Sequence, residues 1–433
     1  MQGIALPPLD RRLQKRFAML VDSQLHAVNK LAAGVVSLPS AGSAFAATQA
    51  AWRFHNNERV TFGALVEPLQ DTGRRQLTSG PVKFALLVHD WCKLSFDRAD
   101  QRDLVQLTHC TDVGYELTTA LLVSAEDGRP LAPMEMHLKT AEGTLSTCGE
   151  TCRTKPHLEQ VLPTMQASRD WKLSRPLVHV IDREADSVDH YRQWDAEGHK
   201  FLIRGDNRSV RWNGVRCHLQ EIRKKLRRKQ QFQPVGPAEY RGRPAQLWVA
   251  ETEVVLDRPA KKNVRGKKFH KPGRALTLRL IVAEIRDQNG KVLAHWLLLS
   301  NLSANWATAA DLARCYYWRW RIESFFKLLK SHGQQLESWQ QESGPAIFRR
   351  LLVAAMACVV VWQLQADSSP AATELKNVLV RLSGRQTKRK RPHTAPALLA
   401  GLGILLSMLA LLEHYNLRDL QKLIHHMPSL KSA

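Results

Sequence analysis

Apolar residues recur at helical spacing through roughly the first 75 positions. Both "RRLQKRFAMLVDSQLHAVNKLAAGVV" and "SAFAATQAAWRFHNN" carry that pattern and predict helices. The texture then changes to short continuous apolar runs, the look of strands buried on both faces. "KFALLVHDW" (83–91) is the first and ends near an aspartate. "GYELTTALLVSAEDGRPLAPMEMHLKT" reads as two strands around a turn at Asp127-Gly128, "PLVHVIDREAD" (176–186) as a buried strand that again ends on an aspartate, and "HKFLIRGDN" as one more strand.

From about 205 the chain becomes strongly basic, with strand-like runs such as "AQLWVAETEVVL" and "ALTLRLIVAEIRDQNGKVLAHWLLLSN" within and after the basic stretches. This predicts a β-rich insertion with basic loops, among them "EIRKKLRRKQ" and "KKNVRGKKFHK". One long amphipathic helix is expected over Cys315–Gly333, with Ile322, Phe326 and Leu329 as its apolar row. A helical C-terminal region follows, with the basic tract "GRQTKRKRP" (384–392) as an exposed loop between helices. The divisions expected are 1–75, 76–345 with the insertion at about 205–300, and 346–433. No repeat recurs at a fixed period.

Composition changes the picture in one respect. In 433 residues, 44% hydrophobic and 24% charged positions are ordinary, but a net charge of +23 is not. Such a surplus calls for a polyanion, and nucleic acid is the first choice. An anionic membrane ranks well below it, because the cations are not gathered on one amphipathic helix. The seven scattered cysteines form no disulfide framework, as suits a reducing cytoplasm. The only close pair, Cys148 and Cys152, lacks the partners a zinc site needs. The N-terminus has no apolar signal core. The runs 351–365 and 395–412 are respectively too short and too broken by Pro396, Gly401 and Gly403 for membrane spans, so buried helices are expected there.

The candidate chemistry lies in three carboxylates. Asp90 and Asp182 each follow an apolar strand, and on adjacent strands they would stand a few ångströms apart. Two anions so close call for a divalent cation. A third carboxylate from a helix packed across the sheet, Glu323, would complete an all-oxygen site for Mg²⁺ or Mn²⁺. Taken singly, Asp90 reads equally well as a turn cap, Asp182 as a helix N-cap and Glu323 as half of a surface ion pair. Asp97, Asp100, Glu184 and Asp186 could also fill the scheme. On a continuous helix Tyr316, Arg319, Glu323 and Lys330 fall within an arc of about 60°.

At these residues a resemblance emerges. "VIDREAD" and "YYWRWRIESFFKLLK" resemble the bacterial DDE transposases of the insertion-sequence-four family, whose helix signature of Tyr, Arg, Glu and Lys is met at full spacing by Tyr316, Arg319, Glu323 and Lys330. "VHDWCKLSF" looks like the family's first-aspartate strand and "ATQAAWRFHNNERVTFGALVEP" like its N-terminal domain. The resemblance implies an α/β fold with a ribonuclease-H-like mixed sheet, a β-rich insertion, a helical DNA-binding domain before it and a helical, dimer-forming domain after it. It implies cut-and-paste chemistry on double-stranded DNA: nicking, a hairpin at the transposon end, and strand transfer into target DNA. Asp90, Asp182 and Glu323 would hold two Mg²⁺ or Mn²⁺ ions, and Tyr316, Arg319 and Lys330 would grip phosphates. Trp296, or more weakly Trp320, would stack a flipped base. "DRRLQKRF" would meet the DNA end. The partners expected are DNA and a second copy of the chain, with no membrane, in a bacterial cytoplasm at the nucleoid. The competing readings are a non-catalytic DNA-binding regulator, and a metal-dependent nuclease that performs no strand transfer.

Overall fold

The computed structural model describes residues 4–26, 41–77, 83–96, 103–107, 109, 111–149, 157–264, 267–330, 333–385 and 393–424. Three helices open the chain: α1 (Arg11–Leu25), α2 (Ala41–His55) and α3 (Phe62–Gln76). α1 starts where the Asp10 carboxylate accepts from the amides of Arg12 at 2.9 Å and Leu13 at 3.0 Å, satisfying two donors a helix start leaves open. Its face of Phe17, Leu20, Val21 and Leu25 is buried.

The sheet begins with β1 (Ala85–Ser95), β2 (Val105–Gln106), β3 (Val113–Val123), β4 (Pro130–Lys139) and β5 (Thr144–Ser146). Then come α4 (His157–Ala167), β6 (Leu177–Ile181), α5 (Val188–Ala196) and β7 (Lys200–Arg204). β3 runs antiparallel to both β1 and β4, whereas β6 is parallel to β1 and β7 parallel to β6. The lateral order β4-β3-β1-β6-β7 therefore puts the first strand in the middle. The β3–β4 turn falls where the sequence predicts it, with Gly128 at φ 70°.

The next segment holds β8 (Ser209–Trp212), β9 (Val215–His218), α6 (Leu219–Arg228), β10 (Gln233–Tyr240), β11 (Arg243–Leu256), β12 (Ala260–Val264), β13 (Lys267–Lys271), β14 (Leu276–Arg286) and β15 (Val292–Ser300). β15 pairs with β7, so among the described residues this segment extends the first sheet to thirteen strands, while β12 and β13 form a separate hairpin. The expectation of a basic loop at "EIRKKLRRKQ" is corrected. Leu219, Ile222 and Leu226 recur at helical spacing and are buried, so the tract is helix α6, with Lys224, Lys225, Arg227 and Arg228 exposed and Arg223 turned inward onto buried Glu284 at 2.8 Å. "KKNVRGKKFHK" contributes to the β12–β13 hairpin.

The chain closes with α7 (Ala309–Trp318), α8 (Arg321–Leu329), α9 (Gly344–Ala366), α10 (Pro370–Leu382), α11 (Ala395–Leu412) and α12 (Leu417–Ile424). The single helix expected over Cys315–Gly333 is thus two. At the break the Arg319 amide bonds Tyr316 O at 3.1 Å and the Ile322 amide bonds Arg319 O at 3.2 Å, both over three residues, the tighter 3₁₀ spacing. α9 and α11 are long and apolar enough to cross a bilayer, but 89% of the most apolar window of α9 is buried within the protein. For α11 the figure is 28%, with Met408, Leu409 and Leu412 exposed, so the expectation of a buried helix fails there. Most of 384–392, and Asp97, Asp100 and Cys152, lie outside the described residues.

Candidate active site

Strand register brings the two aspartates together. Parallel pairing of β1 with β6 ends at His89 opposite Ile181, and that of β6 with β7 at Ile181 opposite Ile203. The next row is Asp90, Asp182 and Arg204. β1 itself continues to Ser95 against β3, so Asp90 sits mid-strand and not at a strand end. It stands where its parallel neighbour β6 departs, which opens the sheet beside it. Asp182 leaves β6 as the N-cap of a 3₁₀ turn, accepting from the Arg183 amide at 2.7 Å. Asp90 accepts from the Trp91 amide at 2.9 Å. The capping roles that each aspartate could have had alone coexist with a shared site.

The third carboxylate comes from α8. Its buried residues Ile322, Phe325, Phe326, Leu328 and Leu329 fix the helix, with Phe325 edge-on to Trp362 of α9 at 5.4 Å. At about 1.5–3 kcal/mol per buried side chain, that packing anchors Glu323 firmly. Glu323 lies in the first turn, where the helix dipole favours an anion.

Arg319 joins the three. Its guanidinium donates to Asp90 Oδ2 at 2.8 Å and to Glu323 Oε1 at 2.7 Å, and stands 3.7 Å from Asp182 Oδ2. The Arg319 side chain is 5% exposed, against 17% for Asp90, 31% for Asp182 and 44% for Glu323. The Tyr316 hydroxyl donates to Asp182 Oδ1 at 3.0 Å, and Arg204 lies 3.6 Å from the same oxygen. Burial pushes the Asp90 carboxyl up to about 6, against the pull of Arg319. Burial also opposes ionisation of Asp182, but Arg319, the Arg183 amide, the Tyr316 hydroxyl and Arg204 outweigh it and hold that carboxyl below its usual range. Side by side, two aspartates are driven in opposite directions.

These groups face an open cavity of about 610 Å³ lined by Asp90, Trp91, Cys92, Asp182, Arg319, Glu323, Phe326, Lys327, Lys330 and Glu337. Lys330 reaches it from the C-terminal end of α8, its Nζ bonded to Lys93 O at 2.7 Å and to Glu337 at 2.9 Å. Among the described residues no three His, Cys, Asp or Glu side chains already stand as a metal cluster, because the guanidinium fills the space between the carboxylates. The donor set itself is hard, anionic and all-oxygen, which fits a divalent cation in place of the guanidinium charge.

Trp296 does not offer an open face. On β15 its ring is 4% exposed, packed 5.4 Å from Tyr316 and 6.5 Å from Trp320, because β14 pairs alongside it and α7 covers it. Trp320 is 38% exposed. Of the alternative acids, Asp186 is committed to Arg208 at 2.8 Å and to the Tyr191 hydroxyl at 2.6 Å, and Glu184 meets His157 at 3.2 Å. Neither lines the cavity. Sequence reasoning missed Arg204 and Glu337. Arg204 was legible in principle, as the first residue after "FLI" and so the counterpart of Asp182 on the next strand. Glu337 arrives on a 3₁₀ turn that no local pattern marks.

Comparison with known proteins gives the family. The family model "Transposase DDE domain" matches residues 142–360, just over half of the chain. The chain belongs to the DDE transposases. A second model, "Transposase DNA-binding", matches residues 9–60, covering α1 and α2. This DDE transposase is thus a DNA-cleaving, strand-transferring enzyme of a family that uses divalent metal ions, with DNA as its partner. Asp182, Tyr316, Arg319, Glu323 and Lys330 lie inside the DDE match, and Asp90 lies before it. No curated protein matches the chain. Among solved structures it is similar to the piggyBac transposase synaptic complex with hairpin DNA, at 12% identity and TM-score 0.37, covering 95% of this chain and 74% of that one. It is also similar to the Drosophila P element transposase strand transfer complex, at 9% identity and TM-score 0.20, covering 87% and 74%. Neither score is high enough to define the fold.

Proposed function

We propose that this transposase works by cut-and-paste chemistry of the insertion-sequence-four kind, similar to the transposon-five transposase, with Asp90, Asp182 and Glu323 as its catalytic carboxylates. The observation that carries the reading is the convergence of those three side chains, from β1, the end of β6 and α8, on one buried cation, Arg319. The strand order β4-β3-β1-β6-β7, antiparallel on one side of β1 and parallel on the other, supports a ribonuclease-H-like core. Residues 1–75 would be the DNA-binding domain, 76–345 the core with its insertion at about 205–300, and 346–433 a helical domain that pairs two subunits.

Bound between the carboxylates, two Mg²⁺ or Mn²⁺ ions would activate a water or 3′-hydroxyl and stabilise the leaving oxygen of a phosphodiester. Asp90 and Asp182 hold their charge at adjacent positions of one row, and Glu323 closes the site from the helix. Tyr316 orients Asp182 through its hydroxyl. Arg319, released as counter-ion, offers its planar fork to a phosphate beside the scissile bond. Lys330 supplies a point charge at the far rim. For a flipped base, Trp320 is the ring with an accessible face, and Trp296 supports it edge-on. Such an enzyme would act in a bacterial cytoplasm, at the nucleoid.

The test uses DNA carrying the element's own end, Mg²⁺ and denaturing gels. A nick followed by a hairpin of twice the strand length supports the reading. Tight end binding with no cleavage in Mg²⁺ or Mn²⁺ refutes it in favour of a DNA-binding regulator. Cleavage that never yields strand transfer leaves a nuclease.

A further inference from the structure

A second cavity, of about 450 Å³, opens at the other pole of the sheet. Leu177 begins β6 there and Lys200 begins β7, the same strands whose far ends carry Asp182 and Arg204. At about 3.3 Å per residue the two sites are separated by roughly 16 Å along β6. The lining includes Arg169, Lys172, Arg175, Lys200, His179 and His199, and no carboxylate. The cations facing this hollow carry a surplus of positive charge that an entering anion would offset, while burial lowers the pKa of both imidazoles and favours their neutral form.

The cations are unequally matched. Arg175 is paired with Glu126 at 2.9 Å, and His199 has Glu197 at 3.7 Å. Arg169 donates to the Glu197 carbonyl at 2.5 Å and to His199 Nε2 at 3.3 Å, burial and the Arg169 charge holding that imidazole's pKa below its usual value so that the nitrogen accepts. Among the described residues, Lys172 and Lys200 make no ion pair. Lys172 also holds a left-handed backbone at φ 51°, unfavourable for a side chain with a Cβ, and this aims the turn after α4 at the cavity. His179 and His199 form its floor, and both are buried.

We propose that this cavity is a second phosphate site, filled by a backbone phosphate of a DNA segment other than the one at the carboxylates. The two poles of the sheet face opposite ways, so one straight duplex does not reach both. Lys172, Lys200 and Arg169 supply the charge and His199 the floor contact. The site does not depend on which carboxylates cleave DNA.

The experiment compares wild type with the double variant Lys172→Ala/Lys200→Ala, and with Lys172→Arg/Lys200→Arg as the charge-keeping control. These side chains are solvent-accessible, and thermal melting checks that all three proteins fold alike. DNA affinity is measured against salt without divalent metal, so loss of cleavage cannot be mistaken for failure here. Each phosphate contact removed lowers the slope of log affinity against log salt by about 0.9. A fall of about 0.9 in the alanine variant, with the arginine variant unchanged, supports a DNA phosphate. An unchanged slope together with a shift of the His199 imidazole NMR signals on adding inorganic phosphate, lost in the alanine variant, keeps the phosphate site but assigns it to a free anion. An unchanged slope and unmoved His199 signals overturn the proposal.

Discussion

Replacing Arg319 with methionine keeps the aliphatic bulk but removes the charge that three carboxylates share. Removing one partner of a buried ion pair costs about 3–5 kcal/mol, because the remaining charge is left uncompensated. Here Asp90 is well buried, but Glu323 at 44% and Asp182 at 31% exposure keep part of their hydration. The lower end, about 3 kcal/mol, is therefore expected in EDTA, a fall in melting temperature of roughly 3 °C for a chain this long. A divalent cation should then do what the guanidinium does. At a hundred times its dissociation constant, a ligand stabilises the folded state by about 2.7 kcal/mol, enough to return most of the loss. Wild type should gain less, since Arg319 must first be displaced. The assay is thermal melting of both proteins in EDTA and across a Mn²⁺ titration without DNA. Equal stability in EDTA, or equal Mn²⁺ shifts, would refute Arg319 as the resident counter-ion.

Other consequences follow from single contacts. Tyr316→Phe removes the hydroxyl from Asp182 and, at about 1.5–3 kcal/mol for a hydrogen bond to a charged group, should slow single-turnover cleavage by roughly 10- to 150-fold with little change in DNA affinity. His89 is buried with its Nε2 3.0 Å from His179 Nδ1, and burial, then His137 and His199, push it down to about 3. A histidine lowered in the fold contributes stability fully present above 6.5 and lost as pH falls below that value. Wild type should therefore lose about 2 kcal/mol more than His89→Gln between pH 6.5 and 5, read from denaturant melts at each pH. Gly401→Ala places a Cβ 1.9 Å from Leu379 O, between α11 and α10, and should cost about 1–3 kcal/mol by urea unfolding. Arg12→Ala with Lys15→Ala, on the outer face of α1, should weaken binding to end DNA while leaving the melting temperature unchanged.

The strands of the core were legible because each is a short apolar run ended by a charge or a turn, and burial on both faces leaves that mark. The aspartates were legible for the same reason, since Asp90 and Asp182 are the charges that interrupt such runs. Their juxtaposition needed register, which no single run encodes. The break at Arg319–Trp320 was hidden because "YYWRWRIESFF" holds no glycine or proline. The arc of about 60° holds only for a straight helix, whereas Arg319 meets Asp90 and Glu323 from the 3₁₀ break between α7 and α8. α6 was misread because its cations outnumber its three apolar anchors. Trp296 illustrates the limit of spacing alone: the same tryptophan could face a cleft or a core, and β14 and Tyr316 give it the core.

The proposed cleavage site stands or falls with three carboxylates, on β1, at the end of β6 and on α8. The most direct measurement is single-turnover cleavage of end DNA in Mg²⁺ by wild type, Asp90→Asn, Asp182→Asn and Glu323→Gln, with binding measured alongside. Each variant is expected to bind the end as wild type does, and none to cut it. A variant that cleaves at the wild-type rate would remove its carboxylate from the site, and Asp90, which lies outside the matched domain, is the sharpest of the three.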